Sequence, residues 1–317
     1  MAAALTPMLM DRLPCYHLPP LIIQEKKRAQ RMRLITFIRD GREQIGVRKG
    51  DHLIPAASIA PALPGSIMQL LADEQLQALQ SKIANFDGAG IAIDDVEYLP
   101  LIPRPGKIIC IGRNYAAHAA EGGAETPTFP EIFYRGATSL VAHQAAIVRP
   151  QCSEMLDFEG EFAFVIGRAC RHATEDRALD YIAGYTLFND ATIRNYQKFS
   201  SQWTIGKNFD NTGALGPELV TCDELPDGMA GLSLTTKLND QVMQDGQIDD
   251  LVFPVRKLVA ILSECMTLEP GDVVVTGTPA GVGYARTPPI WMKAGDTVEI
   301  EVDGLGRLIN TVQDEVK

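Results

Sequence analysis

The sequence predicts an α+β, β-rich fold, and three observations carry that prediction. Short apolar or alternating runs bounded by glycine turns recur along the chain, as in GDVVVTG and GDTVEIEVDG. Helical periodicity is confined to a few segments, such as PVRKLVAILSECM. Strands and helices do not alternate regularly, which argues against a doubly wound parallel sheet.

Taken in order, residues 1–31 lack periodicity, contain a Pro-Pro pair and end in a basic cluster, Lys26, Lys27, Arg28 and Arg31. The charges follow the apolar part, so the segment is not a secretory signal; it reads as a disordered tail or a mis-called leader, with Met32 as the natural start. Residues 32–98 form a small N-terminal domain. Leu34–Ile38 and Ile45–Val47 flank an Asp40-Gly41 turn and predict a hairpin. In SIMQLLADEQLQALQSKIANF, a stripe of Met68, Leu71, Leu76, Leu79 and Ile83 predicts a helix. Residues 99–106, with three prolines and a glycine, read as a linker.

Residues 107–317 make up the large domain. KIICIGRN predicts a buried strand ending at a glycine, and NYAAHAAEGG a short helix closed by Gly122-Gly123. LDFEGEFAFVIG predicts one continuous strand over 157–167. TEDRALDYIAG predicts a helix capped by Thr174 and ended by Gly184. YTLFND is a strand, and ATIRNYQKF a helix starting at Asp190. Val255, Leu258, Val259 and Leu262 place one apolar face on a helix that begins near Pro254. Val298, Ile300 and Val302 alternate with Glu299, Glu301 and Asp303, giving a strand buried on one side.

The chain has 317 residues, 46% hydrophobic and 22% charged, enough to bury a sizeable core. A net charge of -11 argues against nucleic acid and anionic membranes as partners. Six scattered cysteines without a CxxC pair fit a reducing cytoplasm, and no run reaches transmembrane length.

The unusual feature is LDFEGEFAFVIG. On a strand, Asp157, Glu159 and Glu161 share a face. At a spacing of about 6.5–7 Å, each neighbouring pair repels by about 2–3 kcal/mol at an effective dielectric near 20. Such a face is wet, shares a proton or holds a cation. The apolar flank marks a core strand, and Asp190 ends YTLFND nearby. A cluster of Glu159, Glu161 and Asp190, without His or Cys, would select a hard cation: Mg²⁺, Mn²⁺ or Ca²⁺. His118 and Glu121 lie three residues apart, as a carboxylate-oriented general base requires; by spacing alone the pair reads rather as a surface ion pair. Arg194, Gln197 and Lys207 are candidate donors to an anionic substrate or a developing enolate. TGTPAGVG is a Gly-rich loop without the lysine of a P-loop.

GRNYAAHAAE, DFEGEFAFVIG, FNDATIRNYQ, GKNFDNTGALGP and GDVVVTGTPAGVG, in this order, resemble the fumarylacetoacetate hydrolase family. The resemblance implies a mixed β-roll catalytic domain and a homodimer. It assigns the metal to Glu159, Glu161 and Asp190, the water-activating dyad to His118 and Glu121, and anion-stabilising roles to Arg194, Gln197 and Lys207. Thr278 would supply a loop hydroxyl to the substrate. No acidic residue lies between Cys110 and His118, which places the chain in the three-carboxylate branch. Many members carry lysine where Arg135 stands, and Arg135 is expected to clamp a substrate carboxylate. ARTPPIWMKAGD resembles members acting on ring-cleavage products and on ketoacid sugars alike. The implied activity is divalent-metal-dependent hydrolysis of a C–C bond in a 2,4-diketo acid, via a metal-bound enolate. The alternative is isomerisation of a 2-hydroxymuconate-type diene acid, or tautomerisation or decarboxylation of an oxaloacetate-type ketoacid, at the same metal site.

Overall fold

A computed structural model describes residues 31–316. The expectation for residues 1–31 therefore lies almost entirely outside the described residues. Two mixed sheets dominate. The larger runs in the order Ile91–Ala92, His52–Pro55, Arg42–Lys49, Arg33–Arg39, Gly213–Thr221, Ile182–Asp190, Gly160–Ile166, Val273–Val275, Ile108–Gly112, Glu131–Tyr134. The smaller runs Gln241–Gln247, Ser233–Leu238, Thr297–Val302, Gly306–Asp314, Ile147–Arg149. Most neighbours are antiparallel, while Val273–Val275 pairs with Ile108–Gly112 in parallel. The α+β, β-rich architecture is the one the sequence predicts.

The strand Gly160–Ile166 is buried on both faces. Phe162, Phe164 and Ile166 point into the core shared with the smaller sheet, where Leu234, Ile300 and Leu308 meet the helix Val255–Cys265 through Leu258 and Leu262. Ala163 and Val165 point the other way, into a core with Leu34, Ile45, Leu70, Leu79, Leu215 and Val275. Gly160 belongs to the first set: a Cβ there would fall 1.9 Å from the Thr236 hydroxyl, so the smaller sheet closes on bare backbone.

The hairpin forms as predicted, with Asp40 and Gly41 both at positive φ as a two-residue primed turn requires. Its strand Arg33–Arg39 pairs antiparallel with Gly213–Thr221, so residues 32–98 extend the larger sheet and share a core with it. Residues 99–106 contribute to that core, with Leu101 and Ile102 buried and the Leu101 carbonyl accepting from Thr36.

Several local expectations fail for identifiable reasons. The helical stretch at 66–86 splits into Ile67–Ala72 and Leu76–Ile83 at Glu74, which has positive φ; Ile67 and Leu70 are buried while Met68 is exposed. Only a 3₁₀ turn, Ala178–Tyr181, forms where a helix from Thr174 to Gly184 is predicted. Gly184 instead lies inside the strand Ile182–Asp190, every residue of which is buried. Burial between two neighbouring strands outweighs local helical preference there. The helix expected from Asp190 begins at Arg194, because Thr192–Ile193 pair with Leu156–Asp157.

Candidate active site

The expected continuous strand over 157–167 is broken. Leu156–Asp157 and Gly160–Ile166 are separate, and side chains satisfy the backbone at the gap. Asp157 Oδ1 accepts from the Phe158 N–H, Asn189 Oδ1 from Glu159 and Gln244 Oε1 from Gly160. The break leaves Glu159 and Glu161 on the same face of the chain at the end of the buried strand. Across the ladder, Glu161 faces Phe188 and Gly160 faces Asn189, and the Asp190 N–H donates to the Glu159 carbonyl. Adjacent-strand geometry therefore gathers Glu159, Glu161 and Asp190. One oxygen of each lies within 4.8 Å of the others, and all three residues are buried.

Three cations surround the group. Lys207 Nζ stands 2.5 Å from both Glu159 Oε2 and Asp190 Oδ2, on a side chain only 2% exposed. Arg194 Nη2 is 2.6 Å from Glu159 Oε1, and its Nε is 2.7 Å from Asp157 Oδ2. Arg135 Nη1 is 2.5 Å from Asp190 Oδ1. Four buried carboxylates (Asp157, Glu159, Glu161, Asp190) thus meet three cations (Arg135, Arg194, Lys207), a net charge of -1. Among the described residues, Glu161 alone of the four has no ion pair and accepts only the Gly277 N–H.

The titration behaviour follows that imbalance. Burial raises the Glu159 carboxyl, but Arg194 and Lys207, with His118, outweigh it and hold it at about 2. Burial raises Glu161 well above the usual carboxylate range, and Asp190 and Glu159 add to the rise. Burial also raises Asp190, against Lys207 and Arg135. Burial opposes the Lys207 charge, yet Asp190 and Glu159 keep its ammonium protonated above the ordinary lysine range. A buried acidic group with one unpaired carboxylate and an excess of negative charge fits a hard divalent cation held by Glu159, Glu161 and Asp190.

His118 and Glu121 occupy one face of the helix Ala116–Glu121, with His118 Nδ1 3.3 Å from Glu121 Oε2. The Glu121 Oε1 accepts from the Gly281 N–H at 2.9 Å, which fixes the carboxylate and, through it, the ring. Asn114 pins the turn before this helix: buried, it bonds the Phe253 and Thr276 carbonyls and accepts the Phe253 N–H. The dyad is thus tethered at both ends, unlike an ordinary surface pair.

Two residues expected to contact substrate are engaged within the protein. Arg135 is buried behind Asp190, its donors taken by Asp190, Ser139, Thr212 and the Ala191 carbonyl. It holds the Asp190 carboxylate of the cluster in place. The Thr278 hydroxyl donates to the Gly160 carbonyl and accepts from Gln244, so its one proton is committed. Gln197 lies beside Arg194, whose Nη1 it accepts at 3.1 Å.

Asp157 is the main residue that sequence reasoning left without a role. Besides Arg194, it accepts the backbone N–H groups of Gly283 and Tyr284, joining the Gly-rich loop to the cluster. Its place in the DxExE pattern was the available signal. Nothing in the sequence marks Asn189 and Gln244, which complete the backbone bonding at the strand break.

Residues 107–313 match the model of the fumarylacetoacetate (FAA) hydrolase C-terminal domain. The chain is 36% identical over 289 residues to the mitochondrial oxaloacetate tautomerase fahd2 of Xenopus laevis, covering 89% of this chain and 90% of that one. The 2-hydroxyhepta-2,4-diene-1,7-dioate isomerase of Mycobacterium marinum matches with a TM-score of 0.69 at 31% identity, over 90% of this chain and all of that one. The maleylpyruvate hydrolase of Sphingobium sp. SYK-6, solved with manganese(II) and pyruvate, matches with a TM-score of 0.75 at 28% identity, again over 90% of this chain and all of that one. These relatives are named as a tautomerase, an isomerase and a hydrolase, and Glu159, Glu161 and Asp190 of this chain lie within the matched range. The chain belongs to the fumarylacetoacetate hydrolase family.

Proposed function

We propose that the protein is a divalent-metal-dependent hydrolase of a C–C bond in 2,4-diketo acids. The supporting observation is the tethered His118–Glu121 pair together with a buried acidic trio that retains one unpaired carboxylate. Glu159, Glu161 and Asp190 would hold Mg²⁺ or Mn²⁺, which when bound supplies Lewis-acid polarisation of neighbouring substrate oxygens.

The remaining roles fall to the protein's own residues. Glu121 holds His118 so that Nε2, the ring atom opposite its contact, takes a proton from water. Lys207, whose ammonium bonds Glu159 Oε2, Asp190 Oδ2 and the Asp190 carbonyl, holds its positive charge beside the cluster, and that charge stabilises the oxyanion that follows water addition. Arg194 keeps its charge beside that position, and Gln197 is held against Arg194. The proton on His118 then returns to the departing carbon fragment. The acting unit is proposed to be a cytoplasmic homodimer, which light scattering tests directly.

A second reading is supported by the likeness to the oxaloacetate tautomerase, which covers about nine-tenths of both chains. In that reading the same His118 moves a proton between carbon and oxygen without adding water. Incubation with Mg²⁺ and acylpyruvates, and separately with oxaloacetate, divides the two. Two acids from one diketo acid support hydrolysis; enol–keto conversion of oxaloacetate with the acylpyruvates left intact supports the second reading.

A further inference from the structure

We propose that a β-bulge at Met243–Gln244 in the smaller sheet sets the position of the His118–Glu121 dyad. Gln244 and Arg286 are its positioning residues and act through the Gly-rich loop; this rests on the dyad reading above. Thr236 pairs with Gln244, but the next residue, Lys237, pairs with Val242, so Met243 is the extra residue. A bulge leaves its extra residue out of the ladder and re-aims the neighbouring side chain. Both effects are used here. The Met243 carbonyl accepts from Arg286 Nη2 at 2.6 Å. Gln244 is buried, and its amide is saturated: Oε1 accepts the Gly160 N–H at 3.0 Å, and Nε2 donates to the Thr278 hydroxyl at 2.7 Å and the Pro279 carbonyl at 2.8 Å.

The loop is seated on this bulge at close quarters. A Cβ on Gly281 would fall 2.2 Å from the Met243 carbonyl oxygen, and one on Gly246 2.5 Å from Pro279, so a bare glycine is needed at each contact. Arg286 also holds the Gly281 carbonyl, through Nε at 3.1 Å and Nη2 at 3.0 Å. From this anchored residue the Gly281 N–H donates to Glu121, and Glu121 faces His118. The same loop reaches the acidic cluster on either side of Gly281: the Gly277 N–H bonds Glu161 and the Gly283 N–H bonds Asp157. One loop therefore touches both halves of the site, and the bulge fixes it between them. Cutting the bulge contacts frees Gly281, and with it the carboxylate that orients the ring. Glu161 keeps its bond to Gly277, which precedes the anchored stretch.

Gln244→Met removes the amide bonds and Arg286→Met the guanidinium bonds, so each variant cuts one anchor alone. Both are assayed with Mn²⁺ on whichever of the acylpyruvates or oxaloacetate the wild type converts. Each lowers kcat by about 10²-fold, the scale of a misplaced catalytic group, with KM held within about twofold. Mn²⁺ affinity by calorimetry stays within about threefold, because the trio is left in place. In a Glu121→Ala background each variant adds less than about a twofold further loss, since the route through Glu121 is already cut. A loss that multiplies with that of Glu121→Ala, an unchanged kcat, or Mn²⁺ affinity falling in step with kcat would overturn the assignment. Hydrogen exchange supplies a readout without turnover: amides of Ala116–Glu121 and of 277–286 exchange at least about tenfold faster in each variant, and those of Arg33–Arg39 at the wild-type rate. If the wild type converts neither compound class, the hydrolase and tautomerase readings fail and the exchange pattern decides alone. Equal acceleration at Arg33–Arg39, none at Ala116–Glu121, or failure of both variants to fold would overturn positioning by the bulge.

Discussion

Replacing Glu161 with Gln should move stability in opposite directions with and without metal. Glu161 is the buried carboxylate without a cationic partner, and an oxygen of Glu159 and of Asp190 lies within 4.8 Å of one of its own. At that separation and an effective dielectric near 20, each like-charge pair costs about 3 kcal/mol. Lys207 offsets part of this, and the rest is expressed either as repulsion or as a proton taken up against the solvent pH. Glutamine removes both forms of the cost while keeping an acceptor for the Gly277 N–H. In EDTA, the variant should gain about 1–3 kcal/mol, since isosteric neutral replacement of a buried unpaired charge is stabilising. With millimolar Mg²⁺ or Mn²⁺, the wild type should rise in Tm and the variant should lose most of that rise, with at least tenfold weaker metal binding by calorimetry. A variant less stable than wild type in EDTA, yet retaining the full metal-induced rise, would refute the charge count and the assignment of Glu161 as a ligand.

Other expectations follow from the same geometry. His118→Ala should keep metal affinity within a few-fold by calorimetry while kcat falls by about 10²–10⁴, the range of a general base. Asp157→Asn should destabilise the protein by about 3–5 kcal/mol in denaturant titration, because it leaves Arg194 short of a buried partner and weakens the hold on Gly283 and Tyr284. Burial, with Arg307 and Arg48, lowers the His143 imidazole from 6.5 to about 4, so the unfolded chain binds a proton that the folded one refuses. Wild-type stability should therefore fall by up to about 3 kcal/mol as pH drops from 6.5 toward 4. His143→Gln, which retains an acceptor for the Ile309 N–H, should lack that component of the pH slope.

The acidic trio was legible because strand periodicity and an apolar flank are both local properties, and the convergence of Glu159, Glu161 and Asp190 requires only that two strands be neighbours. The hairpin at Asp40-Gly41 and the helix Val255–Cys265 were legible for the same reason. The residues 174–184 misled because helical spacing there coexists with a strand buried on both sides, and only tertiary partners reveal the second fact. The protein partners of Arg135 and Thr278 were not legible. Both residue types suit substrate contact, but their partners, Asp190, Thr212 and Gln244, are dozens of positions away in sequence. The interruption at Phe158 and Glu159 likewise depends on Asn189 and Gln244, which no periodicity exposes.

The stitching of Arg33–Arg39 onto Gly213–Thr221 has a consequence for how the protein can be dissected. A fragment beginning at Lys107 would carry every residue of the acidic site yet leave the Gly213–Thr221 ladder open along one side. It would also strip the apolar cover that Leu34, Ile45, Leu70 and Leu79 place over Val165, Leu215 and Val275. Such a bare edge invites pairing between molecules, so the isolated fragment should aggregate before its chemistry can be assayed. The N-terminal residues thereby act as a built-in chaperone for the catalytic half, supplying in cis what another copy would otherwise supply in trans.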